Sequence, residues 1–203
     1  MEKIRLSFFD TFAYLLPGLL TTISISIALN VEIKSIKNID LLFQEVSTTQ
    51  LVLIILISYL AGIICNEFGH SLYKLSKKIW KKDVINQKNY RLTDAEIHVL
   101  IREYSPINYQ YLETWMGLSN MSHNFAVSFI TFSLVSIIKL FGCFTIQCYI
   151  GWILLIILSI LFTIMFLKKS LKFNNYYKAD RIAAIEKLYL EKLAEKAIIN
   201  DEK

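Results

Sequence analysis

The sequence predicts an all-α, multi-pass membrane protein with four transmembrane helices and a small helical cytosolic layer. Three observations carry that expectation. Hydrophobic residues are 55% of the chain and charged residues 19%, more apolar and less charged than a water-soluble domain. Uncharged runs of membrane-crossing length recur, the clearest lying between Thr48 and Asn66. Six glycines and two prolines in 203 residues leave room for long helices and speak against a β-sandwich.

The first span reads over residues 2–29, of which Thr11 to Leu29 carry no charge. Ser7 and Asp10 have the Ser-x-x-Asp spacing of a capping box, which places the helix start near Phe8. Pro17–Gly18 interrupts the run; it predicts a kink rather than a stop, because a bilayer helix tolerates proline when neighbours satisfy the freed backbone. The same interruption, in a run this long, argues against a cleavable signal peptide. At 100° per residue Asp10, Tyr14, Gly18, Thr21 and Thr22 share one small, polar face. Such a face serves helix packing or, in an oligomer, a water-lined conduit with Asp10 at its mouth. Packing is the plainer use.

Residues 30–50 set two lysines against Glu32, Asp40 and Glu45, so this loop belongs outside; its isoleucines suggest a short interfacial helix. The second span follows, with Ser58, Gly62, Cys65 and Gly69 on one face as a packing stripe. Glu67 and His70 mark its exit and are expected to couple a cytosolic signal to the bilayer, and Lys74, Lys77, Lys78, Lys81 and Lys82 follow. Residues 70–120 then form a cytosolic helical segment. Thr93 and Glu96 make a second capping box, and Ser105–Pro106 reads as an N-cap before a proline at the first helical position. Residues 121–168 hold the third and fourth spans as a hairpin, with Lys139 at its outer end. Lys168, Lys169 and Lys172 bring the chain inside again, where residues 169–203 form an amphipathic helix of mixed charge, a pattern suited to a partner or a sister chain.

Charge bookkeeping sets the orientation. Of 22 lysines and arginines only Lys34, Lys37 and Lys139 fall on the outer side of this arrangement. Both termini are therefore expected in the cytoplasm of a cell whose inner membrane the chain crosses four times.

Little in the sequence points to catalysis. Glu67-x-x-His70 is half of a di-metal carboxylate motif whose second half is missing, so neither metal nor cofactor is expected. Arg91 and His98 have the spacing of the Arg–His pair that HEPN-type ribonucleases use, but Leu92 stands where a polar residue is usual, and a solvated helix start is the plainer reading. His123–Asn124 opens the third span as a cap or as the lining of an inner vestibule. Cys143 and Cys148 could form a disulfide in an oxidising periplasm, though two small apolar residues at the membrane edge is the reading favoured here. The lysine runs suit anionic lipid headgroups, with RNA or another polyanion second. No small-molecule substrate is indicated.

Three stretches, FFDTFAYLLPGLL, YLAGIICNEFGH and WMGLSNMSHNFAVSF, resemble small four-span membrane proteins of prokaryotic antiviral defence loci. The nearest resemblance is to the membrane accessory proteins of type VI CRISPR loci, the next to the membrane subunit of the Kiwa system. The resemblance implies a non-enzymatic homo-oligomer that permeabilises or depolarises the inner membrane under control of its cytosolic face. Its alternative is a scaffold that recruits a cytosolic RNA-guided nuclease without a pore.

Overall fold

The computed structural model describes residues 8–30, 32–35, 38, 39, 42, 46–80 and 93–201, and their side chains apart from those of 8–10, 94 and 189–201. Five α-helices account for nearly all of it: α1 (Phe8–Leu29), α2 (Thr48–Trp80), α3 (Asp94–Tyr104), α4 (Pro106–Leu140) and α5 (Ile146–Asp201). No strand occurs among the described residues. All but α3 are long and apolar enough to cross a membrane. The chain is an all-α, multi-pass membrane protein.

Three helices run further than the spans read from sequence, α2 continuing past Asn66 to Trp80. α4 continues from Pro106 through the aromatic segment into the third span, and α5 from the fourth span through the C-terminal amphipathic stretch. Nothing local stops them: Gly117 is the one helix-breaking residue inside α4, and α5 has none after Gly151. The interfacial helix expected in the outer loop falls mostly on residues outside those described; Ile33, which it would have held at the interface, is fully buried.

The chain divides into two compact units. The first, the four-span unit, is Met1–Lys81 with Gly117–Leu171. Inside it α1 and α2 run antiparallel, because Tyr14 meets Gly62 while Thr22 meets Ser58. A Cβ on Gly18 would fall on the Ser58 carbonyl and 2.7 Å from the Gly62 nitrogen; one on Gly62 would fall on the Tyr14 carbonyl. Backbone touches backbone here, which only glycine permits. Tyr14 and Tyr59 close the same seam edge to face at 6.0 Å. α4 and α5 are joined by a phenylalanine ladder, with Phe125 on Phe166 and Phe129 on Phe162, each pair at 5.0 Å. The outward faces of α2 and α5 are apolar, from Leu51 to Ile64 and from Ile150 to Ile164. Lipid is the solvent that such faces require.

At the hairpin end Cys143 and Cys148 are bonded, with Cα atoms 5.7 Å apart. This corrects the expectation that they serve only as small apolar residues. The turn of four residues between them brings the two side chains together, a proximity that sequence spacing leaves open. The bridge joins Ile27, Ile33, Val135 and Trp152 in a buried cluster. Trp152 Nε1 donates to the Lys34 carbonyl at 3.1 Å, and Lys139 Nζ donates to the Asn30 carbonyl at 2.7 Å. The cation at the end of α4 thus closes the C-terminus of α1.

The second unit is Lys82–Met116 with Lys172–Lys203. Its core is Ile97, Ile101, Leu112 and Ala184, flanked by Tyr109, Tyr177, Ile185 and Leu188. Trp115 Nε1 donates to Asp180 Oδ2 at 2.7 Å. Thr93 and Glu96 form the capping box at the head of α3: Glu96 Oε2 accepts from the Thr93 backbone at 2.7 Å, and Thr93 Oγ1 accepts from the Glu96 N–H. Pro106 begins α4 as its first residue.

Two expectations follow. Gly62→Leu drives a side chain into the Tyr14 backbone and lowers stability by about 3 kcal/mol or more, read as detergent-micelle thermal unfolding by circular dichroism. The Thr93 backbone and hydroxyl bonds hold the Glu96 carboxyl below its ordinary value. A depressed folded value means the cap is complete above the ordinary carboxylate range and is lost as pH falls through the folded value. Amide exchange in the first turn of α3, corrected for intrinsic rate, should lose protection in that acid window, and Glu96→Gln, which removes the titrating carboxyl, should abolish the pH dependence.

Candidate functional site

The proline of α1 dictates the centre of the four-span unit. Pro17 has no N–H, so the Ala13 carbonyl one turn earlier loses its helical partner. In hydrocarbon an orphaned carbonyl costs free energy that water cannot offset. Asn124 of α4 supplies the missing donor, its Nδ2 lying 3.0 Å from Ala13 O. One turn on, Ser128 Oγ lies 2.7 Å from Pro17 O and 3.1 Å from Asn124 O. Thr21 Oγ1 donates to Ser128 Oγ at 3.0 Å and lies 3.3 Å from Cys65 Sγ. Ser58 Oγ donates to Thr22 Oγ1 at 3.4 Å. Asn124, Ser128 and Ser58 are completely buried. The outcome is a polar seam running through α1, α2 and α4 with apolar surfaces outside it.

Asn124 Oδ1 is buried and has no hydrogen-bond partner among the described residues. It rests against Gly69, where an added Cβ would sit 3.0 Å from it.

A second polar group surrounds His123, which is 3% exposed. Its Nε2 lies 3.4 Å from Asn66 Oδ1 and its Nδ1 3.4 Å from Ser170 Oγ. The Asn66 oxygen only accepts, so the assignment requires Nε2–H as donor and Nδ1 as acceptor from the Ser170 hydroxyl. Ser119 Oγ in turn donates to Ser170 O at 3.2 Å. Ser170 and His123 make a serine–histidine contact, but the serine is fully buried, so a substrate carbonyl has no approach to it. The His70 ring stands 6.5 Å from His123, with Tyr73 6.2 Å away.

The residues singled out from sequence distribute as follows. Gly18 and Thr21 are buried in the seam; Tyr14 and Thr22 are half-buried along it; the Asp10 side chain lies outside the described residues. Ser58, Gly62, Cys65 and Gly69 are all buried on one face of α2. Glu67 and His70 are exposed, and it is Asn66, their neighbour, that bonds to α4. Lys74, Lys78, Lys168, Lys169 and Lys172 are exposed and Lys77 half-exposed; Lys81, Lys82 and Arg91 lie outside the described residues. His98 packs edge-on against Tyr109 at 4.9 Å. Among the described residues no three His, Cys, Asp or Glu side chains converge as a metal site.

Sequence reasoning missed Asn66, Ser119, Ser128 and Ser170 and gave Asn124 only a capping or vestibular role. The signal was there in part. Asn124 and Ser128 are one turn apart, as are Ser119 and His123, and a proline in α1 calls for a donor from somewhere.

Asn124→Ala should cost about 1–2 kcal/mol in detergent-micelle unfolding, since it strands the Ala13 carbonyl. In a Pro17→Ala background the backbone N–H restored at position 17 can serve that carbonyl, so the same change should be nearly neutral. A coupling of about 1 kcal/mol across the double-mutant cycle is the expected result. With these contacts established, comparison with known proteins finds no family model, no curated protein and no solved structure that matches the chain.

Proposed function

We propose that the chain is a non-enzymatic membrane scaffold of a prokaryotic antiviral defence system, recruiting a cytosolic nuclease complex to the inner membrane. The observation that carries this reading is where the polar face of α1 goes. Gly18, Thr21 and Thr22 are spent on Ser58, Gly62, Cys65 and Ser128 within one chain. That face is engaged in packing, and the outward residues of α2 and α5 are apolar. An anchor needs no more than this, whereas a conduit needs a wetted polar lane.

The orientation rests on two independent features. Lysines gather at one end of the four-span unit, which the positive-inside rule assigns to the cytoplasm. The Cys143–Cys148 bridge lies at the opposite end of α4 and α5, and such bonds persist on the oxidising side of a membrane. Both termini are then cytoplasmic. Val99, Ile107 and Tyr111 are exposed apolar residues of the second unit, suited to a protein partner. The defence setting rests on the resemblance of the three stretches quoted above.

A second reading, a homo-oligomer that permeabilises the membrane, draws on a different feature. A groove of about 240 Å³ runs along α4 and α5, lined by Ile130, Ser133, Leu134, Ile160, Thr163 and Ile164. Small hydroxyl residues on an otherwise apolar face favour helix association, here with a second copy.

Membrane potential in bacterial cells expressing the chain together with its adjacent genes separates the two, before and after phage challenge. The scaffold reading expects an unchanged potential and recovery of the nuclease with the membrane fraction. Depolarisation that depends on the chain would overturn it in favour of the second reading. In the same cells a cysteine placed at the exposed Ser47, beside the outer end of α2, should be labelled from outside by a membrane-impermeant maleimide, the native cysteines being buried; labelling only after lysis would reverse the orientation.

A further inference from the structure

We propose that the lysine-bearing end of the four-span unit is a binding site for the phosphate headgroup of an anionic phospholipid, organised around Trp80. Three of its cations, Lys74, Lys77 and Lys78, lie in the closing turns of α2; Lys168 and Lys169 come from α5. The Lys168 ammonium stands 5.9 Å from the centre of the Trp80 ring, which ties the end of α2 to the lysine pair of α5. The ring holds the cation by its π face, a contact that strengthens where water is scarce.

The cluster has no internal counter-charge. Among the described residues none of the five lysines is in an ion pair. α2 has no carboxylate after Glu67, and residues 117–171 have none at all. Cations gathered at one end of the unit repel one another unless an anion from outside neutralises them, and each contributes to attraction of an anionic surface.

Lipid and nucleic acid both carry phosphate, and the apolar residues decide for lipid. Phe68, Leu75 and Ile79 are 62%, 53% and 64% exposed; Phe68 precedes the lysines of α2, and Leu75 and Ile79 lie among and beside them. They prolong the exposed stripe of Ile57, Leu60 and Ile64 on the same helix. An acyl chain can lie along that stripe while the ammonium groups, on long apolar stems, reach its phosphate. An RNA strand would leave the same three residues in water. Trp80 is also half-buried with a cation over its ring, so it is poorly disposed to stack a base.

The test is lipid retention by the purified full chain in micelles, measured by native mass spectrometry with phosphatidylglycerol and phosphatidylcholine offered in equal amounts. Retention of the anionic lipid should be favoured about tenfold, and the preference should shrink as salt rises. The quadruple variant Lys77→Gln, Lys78→Gln, Lys168→Gln and Lys169→Gln should lose the preference while unfolding at the same temperature in phosphatidylcholine micelles. Lys168→Gln alone, a milder change, should reduce it in part. Equal retention of the two lipids by the unaltered chain, or an intact preference in the quadruple variant, overturns the proposal. Displacement of phosphatidylglycerol by inorganic phosphate would show that the site reads free phosphate rather than lipid. Displacement by a single-stranded oligouridylate would reassign it to nucleic acid. Either result overturns it as well.

Discussion

The bond from Asn124 to the Ala13 carbonyl is the constraint on which the four-span unit depends. A proline in the middle of a transmembrane helix removes one backbone donor, and in hydrocarbon no water replaces it. The donor has to come from a neighbouring helix at a fixed height and rotation. Asn124 Nδ2 meets that requirement at 3.0 Å, and Ser128 repeats the interaction one turn along at Pro17 O. Two bonds of matching spacing hold α1 and α4 parallel and in register, since a slip of one residue by either helix breaks both. The rest of the seam, Thr21 to Ser128 and Cys65, and Ser58 to Thr22, elaborates a register that the proline already demands.

Close approach on the other side of α1 completes the arrangement. Gly18 and Gly62 let the backbones of α1 and α2 touch, and this brings Ser58 and Cys65 within reach of the threonines of α1. Polar atoms of this seam, Asn124 Oδ1 apart, are therefore satisfied within the same chain, while the lipid-facing surfaces stay apolar. At the hairpin end a different device serves the same purpose. The Lys34 and Asn30 carbonyls, which lie beyond the last turn of α1, accept from Trp152 and Lys139, and the Cys143–Cys148 bridge packs beside them. The loop that leaves α1 is thus tied to the α4–α5 hairpin by buried donors rather than by its own secondary structure.

These features bear on function through what they leave over. With the seam's polar groups other than Asn124 Oδ1 engaged inside the chain, what remains outside is an apolar belt, a lysine cluster around Trp80 and the exposed apolar residues of the second unit. The first meets acyl chains and the second suits headgroups. The third is the surface that a scaffold would offer to a partner. His123 illustrates how a residue type that suggests chemistry can be absorbed by packing: both ring nitrogens face Asn66 and Ser170 in the interior.

Much of the fold was legible in the sequence, because hydrophobic run length and helix-end chemistry are local. The uncharged stretches predict four membrane-crossing helices, Thr93 with Glu96 fixes the start of α3, and Pro106 fixes the start of α4. The small residues at Ser58, Gly62, Cys65 and Gly69 lie on one face by periodicity alone. What occupies that face is a matter of which helix arrives beside it, and no local pattern contains that. Tertiary structure alone decided that Asn124 would serve Ala13, that Asn66 rather than Glu67 would reach His123, and that Cys143 would bond to Cys148. Each is a contact whose partners are set by the register of separate elements, and register is a property of the assembled bundle. The sequence by itself determined the solvent of each helix; only the packing of helix on helix decided which polar atoms meet.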